Sequence, residues 1–246
     1  MRSVYKNILK AKEKNEKLLA ILLDPDKLVG KTLTGIVSKL HNNPVDLIFV
    51  GGSTVEPGAT DLFVKELKEL THIPVVLFPG DYTQITDHAD AILFLSLLSG
   101  RNPEYLIDQQ LKSVDSLQKS SLEIIPTGYI LVDGGKETAV QKKSRTQPIL
   151  QEDIHKIVQT AVAGMYLGKK LIYLEAGSGA KYHIDKKIIA EVHKNIDIPL
   201  IVGGGIKTQQ HLEDAYQNGA DIVVIGNGFE ENYNLLSQFK NKLIRS

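Results

Sequence analysis

Short runs of Leu, Ile and Val, each stopping at Gly, Ser, Asn or Asp, recur along this chain, and segments with an apolar residue every three or four positions fill the intervals. Uninterrupted apolar runs of this length suit parallel strands covered on both faces, and the longer period suits the helices that cover them. An amphipathic segment over residues 3–16, carrying Val4, Ile8 and Leu9, precedes the first strand and is expected to close the bottom of the sheet. The pattern predicts strands at 18–23, 45–50, 73–78, 91–95, within 123–132, and at 171–174, 198–202 and 221–225. Helices are predicted from just after Asp26 to His41, from Pro57 onward, from Pro103 to Lys119, and at 153–167, 185–194, 208–218 and 229–243. The connection over residues 79–90 is short for a full crossover, so the third helix is expected to be reduced or absent. Residues 133–151 are polar and aperiodic and read as a long loop or lid. Eight alternations without a second domain predict one α/β domain over residues 1–246, a modified (β/α)8 TIM barrel with its active site on the loops that follow the strands.

Composition agrees with that fold and narrows the partners. The 246 residues match the roughly 250 of a single barrel. The 29 basic and 29 acidic residues cancel, which gives no electrostatic reason to expect a nucleic acid. With no cysteine, disulfides and thiolate metal sites are excluded. The basic N-terminal segment lacks the apolar core of a signal peptide, and the longest apolar run, residues 91–98, is far below the roughly 20 residues of a membrane helix. A soluble, cytoplasmic protein is expected.

The strand ends carry the chemistry. Gly177-Ser178-Gly179 after strand six, Gly203-Gly204-Gly205 after strand seven and Gly226-Asn227 after strand eight fall where such barrels hold a phosphate. Glycines there also permit tight turns, but three clusters on consecutive strands favour a phosphomonoester site. The spacing fits neither a Walker loop nor a dinucleotide fingerprint. Glu175 lies two residues before Gly177, and a carboxylate beside a phosphate is awkward unless it has a chemical role. Across the barrel, Asp24 and Asp26 follow strand one, and Ser53 and Thr54 follow strand two; such oxygen donors suit Mg2+, although Asp after a strand also caps helices. Leu77, Phe78, Leu95, Leu97, Leu98 and Tyr105 lie between the two halves. They are core material or, beside a missing helix, the wall of a hydrocarbon groove.

Taken together in this order and spacing, LLDPDK, GGST, SLLSGRNPEYLI, YLEAGSGA, IVGGGI and VIGNG resemble the geranylgeranylglyceryl phosphate synthase family, which includes bacterial heptaprenylglyceryl phosphate synthases. The resemblance runs from Leu18 to Phe229. It implies a barrel lacking its third helix and a transferase that joins a prenyl diphosphate to the 3-hydroxyl of sn-glycerol 1-phosphate as an ether, with Mg2+ present. Residue by residue, it implies Mg2+ near Asp24 and Ser53. It implies glycerol phosphate on Tyr173, Leu174, Glu175, Ala176, Gly177, Ser178 and Gly179, with Gly204, Gly205, Gly226 and Asn227. Glu175 becomes the base for the glycerol hydroxyl, or an acceptor that only orients it.

One departure stands out. Many members of the family carry a lysine two residues before the Asp of DPD, where this chain has Leu22. The pattern resembles the longer-chain subgroup, with phosphate charge left to backbone N–H groups and to Lys207 or Lys181, and with Arg101 as a candidate for the diphosphate. Tyr105 falls where the geranylgeranyl enzymes carry an aromatic stopper, which implies a C20 rather than a C35 donor. The family also implies a homo-oligomer and, with a lipid product, transient membrane contact. The phosphate cradle alone leaves open a barrel lyase or isomerase acting on one phosphorylated metabolite, with Glu175 as proton shuttle, or a phosphate-binding protein without activity.

Overall fold

A computed structural model describes residues 3–28 and 32–226. Among them, eight parallel strands close into a barrel in sequence order: β1 (Leu18–Leu23), β2 (Leu47–Val50), β3 (Val75–Leu77), β4 (Ala91–Leu97), β5 (Glu123–Leu131), β6 (Leu171–Glu175), β7 (Leu200–Gly203) and β8 (Ile222–Ile225), with β8 pairing back onto β1. The helices are α1 (Val4–Glu13), α2 (Leu33–His41), α3 (Ala59–Leu70), α4 (Gln109–Gln118), α5 (Ala139–Ser144), α6 (Ile154–Tyr166), α7 (Lys186–Asn195) and α8 (Gln209–Gln217). The helix expected at 229–243 lies outside the described residues.

Strand alternation sorts the apolar side chains into two cores. Odd-numbered positions of β6 (Leu171, Tyr173) meet Ile201, Ile222, Phe49, Leu93 and Tyr129 inside the barrel, while Ile172 and Leu174 join the outer core under the helices. Val4 and Ile8 of α1 belong to the inner cluster, so this helix does close the bottom. Ser3 caps it by accepting from the Lys6 N–H, and the Glu123 carboxylate at the start of β5 takes the otherwise unpaired Val4 and Tyr5 N–H groups.

Between β3 and β4 a single 3-10 turn, Tyr82–Gln84, replaces the third helix. Two expectations are corrected. After β1 the chain makes a 3-10 turn, Pro25–Leu28, before α2 begins at Leu33, because Pro25 opens a tight turn that does not propagate. The polar stretch 133–151 is not structureless: α5 forms within it, closed by a capping box in which Thr138 accepts from the Gln141 N–H and Gln141 accepts from the Thr138 N–H. A parallel bridge between Val132 and Ile149 returns the segment to β5.

Candidate active site

The mouth of the barrel holds a cavity of about 500 Å³ that reaches from the glycine loops after β6 to β8, past Asp24 and Ser53, to the open flank beside β4. Glu175 stands at its centre. The sequence places this residue in a loop; it is instead the last residue of β6, paired with Leu131 and Gly203, and the alternation that buries Leu171 and Tyr173 aims it inward. It is 6% exposed. Burial raises its carboxyl from 4.5 to about 7, offset in part by the Gly177 N–H, which donates to Oε1 at 2.6 Å, and by the neighbouring Tyr173 hydroxyl. The Tyr173 hydroxyl is buried against Glu175, and burial together with that carboxylate holds it well above the usual phenol range, so it remains a donor.

The loop after β7 is shaped by glycine. Gly204 and Gly205 adopt φ of 80° and 70°, and Gly177 and Gly179 adopt 100° and 70°. A Cβ at Gly204 would stand 2.4 Å from Glu175 Oε1 and 2.6 Å from the Gly177 nitrogen, so the chain passes directly against the Glu175 carboxylate and the amide bonded to it. Gly177, Ser178, Gly179, Gly204, Gly205 and Gly226 all line the cavity, and Ser178 and Gly179 are open to solvent. Among the described residues, a Cβ at Gly226 would meet nothing within 4 Å. Leu174 and Ala176 turn their side chains into the outer core, which leaves only their backbone for a ligand. Asn227 lies outside the described residues.

Across the mouth, Asp24 is buried, with Oδ2 at 2.8 Å from Lys27 Nζ and, among the described residues, Oδ1 without a partner. An orphaned carboxylate oxygen facing a cavity suits a hard cation, and Ser53 follows the neighbouring strand on the same wall. Among the described residues no three His, Asp, Glu or Cys side chains gather as a closed metal cage, so a cation here would complete its shell with water or substrate oxygens. Asp26 is not among the cavity residues; its carboxylate faces the Glu56 N–H at 3.5 Å.

The flank vacated by the missing helix is a groove walled by Phe78, Ile85, Phe94, Leu95, Leu97, Tyr105 and Val140. Phe78 stacks on Tyr173 with centroids 5.3 Å apart, and Tyr129 meets Tyr173 edge-on at 5.3 Å, so an aromatic floor joins the groove to Glu175. Tyr105 sits on a π-helical turn, Glu104–Asp108, that feeds α4. Such turns are uncommon and favour functional positions. Asn102 holds this one by accepting from the Glu104 N–H and donating to the Ser144 carbonyl of α5.

Sequence reasoning missed Lys143, Asp81 and Gln84. Lys143 Nζ crosses from α5 to donate to Asp81 Oδ2 at 2.7 Å and to the Ser53 carbonyl. Asp81 is raised by burial, but Lys143 and Thr83 together bring it below the usual carboxylate range. Gln84, 2% exposed, ties the loops after β2 and β3 by accepting from the Gly80 N–H and donating to the Gly52 carbonyl. The capping box at Thr138 was the one local signal that α5, and with it Lys143, would be ordered. Arg101 is not in the cavity; it donates to the carbonyls of Leu98 and Gly100 on its own loop. Lys181 lies over the Tyr182 ring, and Lys207 lines the cavity while donating to the Ala180 carbonyl.

Comparison with known proteins agrees with this geometry. Residues 10–243 match the PcrB family. A geranylgeranylglyceryl phosphate synthase of Zunongwangia profunda is 52% identical over 230 residues, covering 94% of this chain and 98% of that protein. One from Flavobacterium johnsoniae is 50% identical over 230 residues, covering 94% and 95%. The crystal structure of (S)-3-O-geranylgeranylglyceryl phosphate synthase from Thermoplasma acidophilum, in complex with its substrate sn-glycerol-1-phosphate, superposes with a TM-score of 0.89 at 33% identity over 96% of each chain.

Proposed function

The chain belongs to the PcrB family of geranylgeranylglyceryl phosphate synthases, and on that premise we propose that it transfers the prenyl group of geranylgeranyl diphosphate to the 3-hydroxyl of sn-glycerol 1-phosphate. The observation that carries this reading is the position of Glu175, buried where a glycine-lined phosphate cradle meets an apolar groove. A cradle alone serves any phosphorylated metabolite. The groove has no use in a lyase or isomerase acting on one small substrate, and it favours the two-substrate reaction.

In this mechanism the loops after β6, β7 and β8 hold the phosphate with backbone N–H groups, and Tyr173 donates towards the glycerol oxygens. The Glu175 carboxylate takes the proton of the 3-hydroxyl while that oxygen attacks C1 of the prenyl chain; the bond from C1 to the diphosphate oxygen breaks, and diphosphate leaves with the electron pair. The aromatic floor keeps water away from the reacting carbon. Asp24 and Ser53 would hold Mg2+, which when bound neutralises charge on the diphosphate.

The direct test is product analysis by mass spectrometry with geranylgeranyl diphosphate, Mg2+ and either enantiomer of glycerol phosphate. An ether formed from the 1-phosphate and not from the 3-phosphate is expected; no ether with C20 or longer donors from folded protein overturns the reading. Asp24→Asn removes charge from the orphaned donor and should raise the Mg2+ concentration for half-maximal activity by about tenfold or more, read from a Mg2+ titration. Tyr105→Ala opens the far groove and is expected to admit donors longer than C20, checked by offering a C35 diphosphate. An unchanged donor range removes Tyr105 as the stopper.

A further inference from the structure

The short helix α5 borders the phosphate loop after β6, the apolar groove and the loops after β2 and β3. Its cap residue Thr138 lies against Gly177 of the phosphate loop, so closely that a Cβ at Gly177 would stand 2.1 Å from Thr138 Cγ2. Val140 lines the groove, and Lys143 reaches the wall formed by the loops after β2 and β3. Among the described residues, three lysines line the cavity. Lys207 stands at the glycerol phosphate end, where it donates to the Ala180 carbonyl, and Lys27 is bound to Asp24 with its side chain about half exposed. Lys143 is the one placed between the cation wall and the groove, with a side chain 23% exposed.

An ammonium group has three donors. Two from Lys143 are committed, to Asp81 Oδ2 and the Ser53 carbonyl, and these hold Nζ at the cavity wall; among the described residues the third has no acceptor and is left for a ligand. The ligand that needs a fixed cation beside the groove is the pyrophosphate end of a prenyl donor, whose negative charge grows as the carbon–oxygen bond breaks. We infer that Lys143 is a binding residue for the diphosphate of the prenyl donor, held ready by Asp81 and the Ser53 carbonyl. The inference rests on the prenyltransferase reading and adds to it a contact from the roof of the site. Carbon–oxygen cleavage proceeds as above, with the leaving diphosphate keeping the electron pair and Lys143 keeping its proton.

The test compares Lys143→Met, Asp81→Asn and the wild-type protein by calorimetric titration with inorganic pyrophosphate in Mg2+, and by steady-state kinetics with each substrate varied. Loss of one charged hydrogen bond should weaken pyrophosphate about ten- to a hundred-fold in Lys143→Met and raise the KM for prenyl diphosphate in step, with the KM for sn-glycerol 1-phosphate unchanged. Asp81→Asn leaves the ammonium in place and should keep pyrophosphate affinity within about threefold. Equal losses in both variants would reduce Lys143 to a strut between loops and overturn the inference, as would equal increases in both KM values. Because pyrophosphate binding requires no turnover, the two readings fail separately. A protein that forms no ether yet loses pyrophosphate in Lys143→Met refutes the transferase and leaves the diphosphate site standing.

Discussion

Glu175→Gln is expected to lower kcat by about 10²- to 10⁴-fold, the range a positioned general base supplies, while sn-glycerol 1-phosphate still binds. Gln keeps the size of the side chain and an oxygen to accept the Gly177 N–H, so the loop after β6 should hold its shape. The wild-type pH profile carries the same information. The carboxyl titrates at about 7 and works as a base only when ionised, so kcat/KM should fall about tenfold per pH unit below that value and level off above it. A residue that only orients glycerol would give a much smaller loss and no limb near pH 7.

The same substitution should act on stability in the opposite direction. The folded protein holds the Glu175 proton up to about pH 7, whereas the unfolded chain releases it near 4.5. Stability associated with this group is therefore fully present below pH 4.5 and is lost as pH rises through 7. Above pH 7 the buried charge costs about 3 kcal/mol, which Gln avoids. Thermal unfolding at pH 8 should show Glu175→Gln more stable than wild type, with the gap closing towards pH 5. An inactive yet stabilised variant is the signature of a carboxylate kept in place for chemistry.

Gly204→Ala should be the other severe change. Its φ of 80° costs an alanine about 1 kcal/mol, and the new methyl would press on Glu175 Oε1 at 2.4 Å and on the Gly177 and Ala176 nitrogens at 2.6 and 2.8 Å. None of these is the loose end of an exposed side chain, so the strand end must shift, at a further cost of about 1–3 kcal/mol. Because the shift would displace the cavity-lining glycine loops after β6 and β7 that are proposed to hold the phosphate, the KM for sn-glycerol 1-phosphate is expected to rise about a hundredfold or more, with the KM for prenyl diphosphate little changed. Alanine at Gly58, whose Cβ would meet nothing within 4 Å among the described residues despite a φ of 81°, serves as the control for backbone strain alone. If both variants behave alike, the contact with Glu175 and its amides is not what matters.

Much of this was legible in the chain before it folded. The apolar runs at 18–23 and 221–225 mark β1 and β8 because a buried parallel strand must be apolar on both faces, and the short 79–90 connection has no room for a crossover helix. Glu175 and its glycines were legible because acidic and φ-permissive residues are rare at the end of such a run. Lys143 and Asp81 were not, since they lie 62 positions apart and nothing local marks either as a partner.

The order of elements, the missing helix and the end of the barrel that carries chemistry could be read from the chain alone, since these follow from period, length and turn chemistry within short windows. Contacts formed on folding place Glu175 on β6 pointing inward, leave one Asp24 oxygen without a partner among the described residues, and turn Arg101 back on its own loop. They also make α5 the roof of the site and set Lys143 on the far wall. Burial and hydrogen bonding between distant segments are properties of the closed barrel, and closure is what raises the Glu175 carboxyl to about 7.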